Sequence, residues 1–207
     1  MSVSNIIISL LSLFSIFLLT LTFFIPHDSE IYQLLSYFDF ILCFVFILDF
    51  FTQLSKAENK WKYFYTIGWL DLLSSIPVIY EFRFIRIFRV FRVLRIIKST
   101  RLLIAFIKRN KATSLYGFIV FTAFITLVFT TTAVLYLEQD VGNIKTAEDA
   151  LWWSFVTITT VGYGDYYPVT GSGKLLASLL IFCGIASFGA VISYVNRLAV
   201  SFKDKGF

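Results

Sequence analysis

Six stretches of this 207-residue chain stay apolar for about the 20 residues that a helix needs to cross the hydrocarbon core of a bilayer. They cover residues 5–25, 31–54, 61–80, 82–104, 114–137 and 173–198. A segment inside hydrocarbon must satisfy its own backbone groups, so each stretch reads as an α-helix. A soluble fold could not hide this much apolar surface. Hydrophobic residues make up 58% of the chain and charged residues 15%, against about 25% charged in soluble domains. The chain is therefore expected to be an all-α membrane protein. A seventh apolar run, 147–158, is too short to cross and fits a re-entrant helix, which is tolerated only when buried in protein or lining water. Residues 5–25 lack a positive n-region and a small-residue cleavage site, so they read as a retained helix and not as a signal peptide.

The loop charges alternate in sign. One set of loops holds Lys56, Lys60, Lys62, Lys108, Arg109, Lys111, Arg197, Lys203 and Lys205 against only Glu58 and Asp204. The other holds Asp28, Glu30, Glu81, Glu138, Asp140, Glu148, Asp149 and Asp165 against Lys145 and Lys174. Only an even number of crossings produces this split. The excess of Lys and Arg then places both termini in the cytoplasm of a multi-pass protein of a cell membrane, plasma or bacterial inner.

The fourth run carries a basic residue at every third position: Arg83, Arg86, Arg89, Arg92, Arg95, Lys98 and Arg101. The residues between them are almost all Phe, Ile, Val and Leu. Steps of three advance about 300° on an α-helix, so the stripe drifts about 60° per step and winds once round the helix. No clean apolar face remains. That excludes an amphipathic helix lying on lipid, and equally a nucleic-acid-binding helix with one basic side. Seven unpaired charges at membrane depth would cost on the order of 20 kcal/mol, so the helix needs acidic partners and water. Asp39, Asp49 and Asp71 lie at membrane depth and can supply them. The remaining positive surplus inside the membrane field is what a voltage sensor needs, because each charge that crosses gains about 2.3 kcal/mol per 100 mV.

Between the short run and the sixth long run lies Thr159-Thr160-Val161-Gly162-Tyr163-Gly164-Asp165. An extended strand of L-residues alternates its carbonyls. Glycine at every second position permits positive φ and can turn successive carbonyls to one side. Gly162 and Gly164 have that spacing, with Val161 and Tyr163 facing away as braces. The carbonyls of Thr160, Val161, Gly162 and Tyr163 could then replace the water shell of a K⁺ ion. Just upstream, Thr146-Ala147-Glu148-Asp149 opens the short helix with a capping-box-like start and acids in the first turn. The C-terminal end of that helix would favour a cation.

These features together resemble a six-helix voltage-gated potassium channel subunit, end to end, in a minimal prokaryotic-like form. Thr160-Val161-Gly162-Tyr163-Gly164 matches that family's selectivity filter. The resemblance implies a four-helix voltage-sensor domain over 1–110. A two-helix pore domain with a re-entrant pore helix and filter would follow over 111–207. It implies that Asp39, Phe46 and Asp49, with Asp71 of the third helix, form the centre through which the arginines pass, Phe46 plugging the septum. Asp49 stands where the family often has Glu, and Pro77 is a plausible kink in the third helix. The resemblance further implies that Trp152 holds Asp165 and that Trp153 holds Tyr163, both supporting the filter. Where some relatives bury a Glu behind the filter, this chain has Val156. The last helix lacks the Pro-Val-Pro of many relatives. Gly184 and Gly189 are its hinge candidates, and Gly184 reads equally well as a site of close helix packing.

The resulting expectation is a homotetrameric, voltage-gated, K⁺-selective channel, since a ring of carbonyls needs four copies of the loop. The alternative is a cation channel of weak voltage dependence or weak selectivity. K⁺ is the permeant ion and membrane lipids surround the protein. No cofactor, nucleic acid or cytoplasmic ligand domain is expected. Neither is an enzyme, since no nucleophile–base pair or metal cluster stands out. His27 is the single histidine, and Cys43 and Cys183 read as small buried hydrophobes. A voltage-driven enzyme or transporter would need a catalytic domain or inverted repeats. The short connection after Arg101 predicts that each sensor sits beside its own subunit's pore.

Overall fold

The computed structural model describes residues 3–57, 59–65, 69, 72 and 111–203. All regular structure in the described residues is helical: α1 (Val3–Phe24), α2 (Glu30–Lys56), the short α3 (Lys60–Tyr63), α4 (Lys111–Glu138), α5 (Ala147–Ile158) and α6 (Gly171–Lys203). The basic ladder from Arg83 to Arg101, Asp71, Pro77 and the connection over 102–110 lie outside the described residues. So do most of the third expected crossing and all of the fourth.

Four helices are long and apolar enough to cross a membrane, over Ile7–Phe24, Glu30–Ser55, Tyr116–Glu138 and Gly171–Arg197. The helices overrun the apolar stretches. α4 begins at Lys111 rather than 114, and α6 continues to Lys203 rather than 198. Hydropathy marks the thickness of the hydrocarbon, whereas backbone hydrogen bonding continues into the polar turns on either side. α5, at 12 residues, is about 18 Å long, far short of the hydrocarbon core.

The chain divides into two compact units. The first comprises Met1–Pro26 and Leu35–Lys111. Its described core is built from Leu11, Phe14 and Leu18 of α1 and from Leu35, Phe38, Leu42, Phe46 and Phe50 of α2. These positions repeat every three or four residues, the spacing of one helix face. Two hydroxyls of α1 turn back onto their own helix: Ser12 Oγ donates to the Ile8 carbonyl at 2.7 Å and Thr22 Oγ1 to the Leu19 carbonyl at 2.9 Å. Such bonds satisfy a hydroxyl without an outside partner.

The second unit comprises His27–Leu34 and Ala112–Phe207. Its core includes Val134, Leu135, Ile144, Ala147, Ala150, Val156 and Leu180. α5 packs on α6, and the two backbones come close at Gly184. A Cβ there would run into the main chain of Ile158, the last residue of α5. At Gly189 a Cβ would meet nothing within 4 Å. α6 passes through both glycines as one helix. The close-packing role of Gly184 is thus visible directly, and Gly189 has no such constraint.

The two glycines are expected to respond in opposite directions. Gly184→Ala should destabilise the detergent-solubilised protein by about 1–3 kcal/mol through overpacking against immovable backbone. Gly189→Ala should be neutral or stabilising by up to about 1 kcal/mol, because alanine is the better helix former. Thermal melting of the two variants checks this, and equal effects would contradict it.

Candidate functional site: the loop after the short helix and its frame

α5 starts where local chemistry dictates. Thr146 is extended, and its Oγ1 accepts from the Asp149 amide at 3.2 Å. Asp149 Oδ2 accepts in return from the amides of Thr146 at 3.0 Å and Lys145 at 3.2 Å. This is a complete capping box. The next orphan donor, the Ala147 amide, is taken by Glu30 Oε2 at 2.8 Å. Glu30 opens α2 but lies in the second unit with the loop. Glu30, Glu148 and Asp149 thus gather negative charge at the positive end of the helix dipole. Burial pushes the Asp149 carboxyl up, but donors from the Thr146 amide, the Tyr166 hydroxyl and the Lys145 amide hold it below its ordinary value. The bond to Asp149 in turn pushes the Tyr166 phenol up.

At its other end α5 gives way to a loop of alternating hand. Thr160, Gly162 and Gly164 have φ of 60°, 60° and 79°. Every second residue is left-handed, which turns successive carbonyls to one side. Two of the three are glycines, for which this costs little. Thr160 is not, and its strain is held by neighbours. Its amide donates to the Thr157 carbonyl at 3.0 Å. The amides of Val161 and Gly162 both turn back to the Val156 carbonyl, at 3.0 and 3.3 Å. The amides of residues 160–162 therefore point into α5. Among the described residues, no donor reaches the carbonyls of residues 160–164.

The residues flanking the loop are tied to α5 and to the turn before it. Trp152 Nε1 donates to Asp165 Oδ2 at 2.7 Å. The Trp152 ring stacks on Tyr163, with centroids 5.9 Å apart and planes 8° from parallel. Trp153 is buried, 4% exposed, and among the described residues makes no hydrogen bond to Tyr163 within the chain. Val161 and Tyr163 are exposed in the single chain. Val156 is buried directly behind the loop.

Three further residues of this frame escape a reading by sequence pattern. Glu138, the last residue of α4, has no solvent exposure. Its carboxylate accepts from the amides of Val169 at 2.9 Å and Thr170 at 3.0 Å, and from Thr170 Oγ1 at 2.5 Å. Gly173 gives it room, since a Cβ there would collide with Glu138 Oε1. The available signal is that an acid at a helix C-terminus opposes the dipole and so needs another reason to be there. Asn143 bridges Asp165 and Tyr167, and Glu30 caps α5. Nothing local flags either one.

In the first unit, Asp39, Phe46 and Asp49 share the buried side of α2, at 8%, 1% and 6% exposure. Asp39 and Phe46 are two helical turns apart, about 10 Å along the axis, and Asp49 lies about 5 Å further on. Asp49 Oδ2 accepts from Gln53 Nε2 at 2.7 Å. Buried carboxylates are sustained by opposite charge and hydrogen bonds. The Phe46 ring lies between the two carboxylates along the helix.

Residues 1–204 match the family model described as "Ion transport protein", and the chain belongs to that family. It is also similar to human potassium voltage-gated channel subfamily A member 6, 36% identical over 81 residues, and to subfamily A member 4 from human, 35% identical over 81 residues. Each match covers 38% of this chain but only 15% and 12% of the respective relative, so the chain spans a small part of those proteins' length.

The depressed Asp149 carboxyl makes the cap depend on pH. A lowered folded-state value contributes stability above the ordinary value of 3.8, lost as the pH falls through the lower folded value. Thermal stability should therefore drop across that acid range. Asp149→Asn should cost about 1 kcal/mol at neutral pH and flatten that part of the curve. Melting temperatures of both proteins against pH provide the check.

Proposed function

We propose that this chain is one subunit of a homotetrameric, voltage-gated, potassium-selective channel of a cell membrane, with both termini in the cytoplasm. The observation that carries the reading is the loop at 160–164. Its alternating left-handed residues turn a run of main-chain carbonyls to one side, and the amides of its first three residues are spent on α5. A narrow passage needs a substitute for the hydration shell of K⁺, and such carbonyls supply one when four copies form a ring. Trp152, Trp153 and Asp165 are the supports of that loop. α5 aims the negative end of its dipole at the point where the ion arrives.

The voltage dependence is assigned to Arg83, Arg86, Arg89, Arg92, Arg95, Lys98 and Arg101. In this reading they move past Phe46, with Asp39 on one side and Asp49 and Asp71 on the other as successive counter-charges. Residues 1–110 form the sensor and 111–207 the pore. The family match and the likeness to two voltage-gated potassium channel subunits support the same reading. Gly184 and Gly189 are the positions at which α6 could bend to open the pore. Gly184 could do so only by leaving its packed position under Ile158.

Selectivity should reside in the backbone of the loop. Gly162→Ala and Gly164→Ala would each place a Cβ on a left-handed residue and misdirect a carbonyl, at a cost of about 1–2 kcal/mol. The expected outcome is loss of K⁺ conduction, or of preference over Na⁺, in tetramers that still assemble. Reversal potentials in planar bilayers with K⁺ on one side and Na⁺ on the other measure it. Normal preference in both variants would sink the assignment.

Steepness of gating should reside in the middle of the ladder. Each charge lost from Arg86 or Arg89 by change to Gln removes up to about 2.3 kcal/mol per 100 mV per subunit, so the conductance–voltage curve should become shallower. Arg101→Gln should reduce the slope less. The reverse order would show that the ladder is in a different register on the septum.

A further inference from the structure

The Trp152 bond fixes Asp165 from the side of α5. Asn143 holds the same residue from the turn before α5, and no motif links the two. Asn143 Nδ2 donates to the Asp165 carbonyl at 2.8 Å, and Asn143 Oδ1 accepts from the Tyr167 amide at 3.4 Å. One side-chain amide thus pairs with the main chain on both sides of Tyr166, as a neighbouring strand would. Asp165 itself is held at three acceptor atoms. Its Oδ2 takes Trp152 Nε1, its Oδ1 takes the Tyr166 amide at 3.1 Å, and its carbonyl takes Asn143. Gly164, a left-handed glycine at φ 79°, directly precedes this clamped residue.

We infer that Asn143 is a positioning residue for the selectivity loop: it locks the peptide after Asp165 and so limits rotation of the Gly164 carbonyl at the outer end of the ion path. The argument rests on the channel reading. Glycine reaches either hand with little penalty, so Gly164 can flip unless its neighbour is held. Trp152 restrains the Asp165 side chain, and Asn143 restrains its main chain. Neither bond substitutes for the other, and both act on one residue. Only an amide fits the role of Asn143, because one end must donate to a carbonyl while the other accepts from an N–H.

The test uses full-length protein in planar bilayers, with K⁺ on both sides, at a steady voltage that holds channels open. Asn143→Ala should leave assembly and the conductance–voltage slope unchanged and should speed the decay of K⁺ current about fivefold, the worth of roughly one hydrogen bond. Raising external K⁺ should slow that decay, since an ion in the loop opposes rotation of the carbonyls. Asn143→Asp keeps size and the acceptor for the Tyr167 amide, but sets an oxygen against the Asp165 carbonyl. It should decay at least as fast as the Ala variant. A wild-type rate in the Asp variant would mean that Asn143 only fills space, and would overturn the inference. Asn143→Ala combined with Trp152→Phe should be non-additive, because both release Asp165; simple additivity would also overturn it. Wild-type protein that assembles but passes no K⁺ would remove the channel reading, and the inference with it. Wild-type conduction with unchanged decay in the Ala variant would remove the inference alone.

Discussion

A main-chain carbonyl without a donor is expensive wherever water is excluded, and residues 160–164 present a row of them. The rest of the second unit can be understood as the means of holding that row. The amides of residues 160–162 are turned into α5 through the Val156 and Thr157 carbonyls, so they are not free to pair with the rest of the loop. The segment beyond the loop is gripped at Asp165, Tyr167, Val169 and Thr170 by Trp152, Asn143 and Glu138. Two of these grips end on carboxylate oxygens, those of Asp165 and Glu138. The α5 end of the loop is held equally firmly, since α5 rests on α6 at Gly184 with no side chain between them. A left-handed threonine at 160 is tolerable only in such a frame.

What the sequence made legible is whatever depends on chain-local physics. Apolar runs of bilayer length marked the crossings among the described residues, because hydrocarbon imposes length and helicity together. Thr146 and Asp149 were readable as a cap because the bonds close within four residues. Gly162 and Gly164 were readable as left-handed because alternate glycines between branched and aromatic residues have few other uses. The left-handed Thr160 was not, since its side chain gives no hint and the surrounding frame decides its conformation. Glu138 and Glu30 were counted only as loop charges, and Asn143 carried no reading at all. Their partners lie 31, 22 and 117 residues away, and no periodicity spans those distances. Helix ends were placed too early or too late for a different reason: hydropathy reports the solvent around a helix, not the extent of its hydrogen bonds.

The first unit follows a different electrostatic logic. α2 is almost uniformly apolar, yet it buries Asp39 and Asp49 on the side that also buries Phe46. Carboxylates at membrane depth are costly and are retained where they meet cations. The fourth apolar run carries seven basic residues with the same need. On the proposed reading, each set of charges resolves the other's desolvation problem. Phe46 keeps the two carboxylates from acting as one broad well. Cations would then occupy discrete stations, and a ladder with a step every three residues could advance without ever exposing a charge to lipid.

The exposed surfaces of the single chain differ in what can cover them. Leu175, Leu179, Phe182 and Phe188 of α6 are exposed and apolar, and lipid or another helix would satisfy them equally well. Residues 160–164 have no such choice. They too are exposed, but lipid-facing irregular backbone with unpaired carbonyls does not occur in the hydrocarbon region. Only protein, water or a cation can face them. One chain cannot enclose its own loop, since Val161 and Tyr163 remain open at 53% and 68% exposure. On the proposed reading neighbouring copies meet that requirement, and their α5 and α6 would wall the loop on its outer sides while ions and water fill the inner one. In that reading, the constraint that suits the loop to an ion path is the same one that calls for assembly.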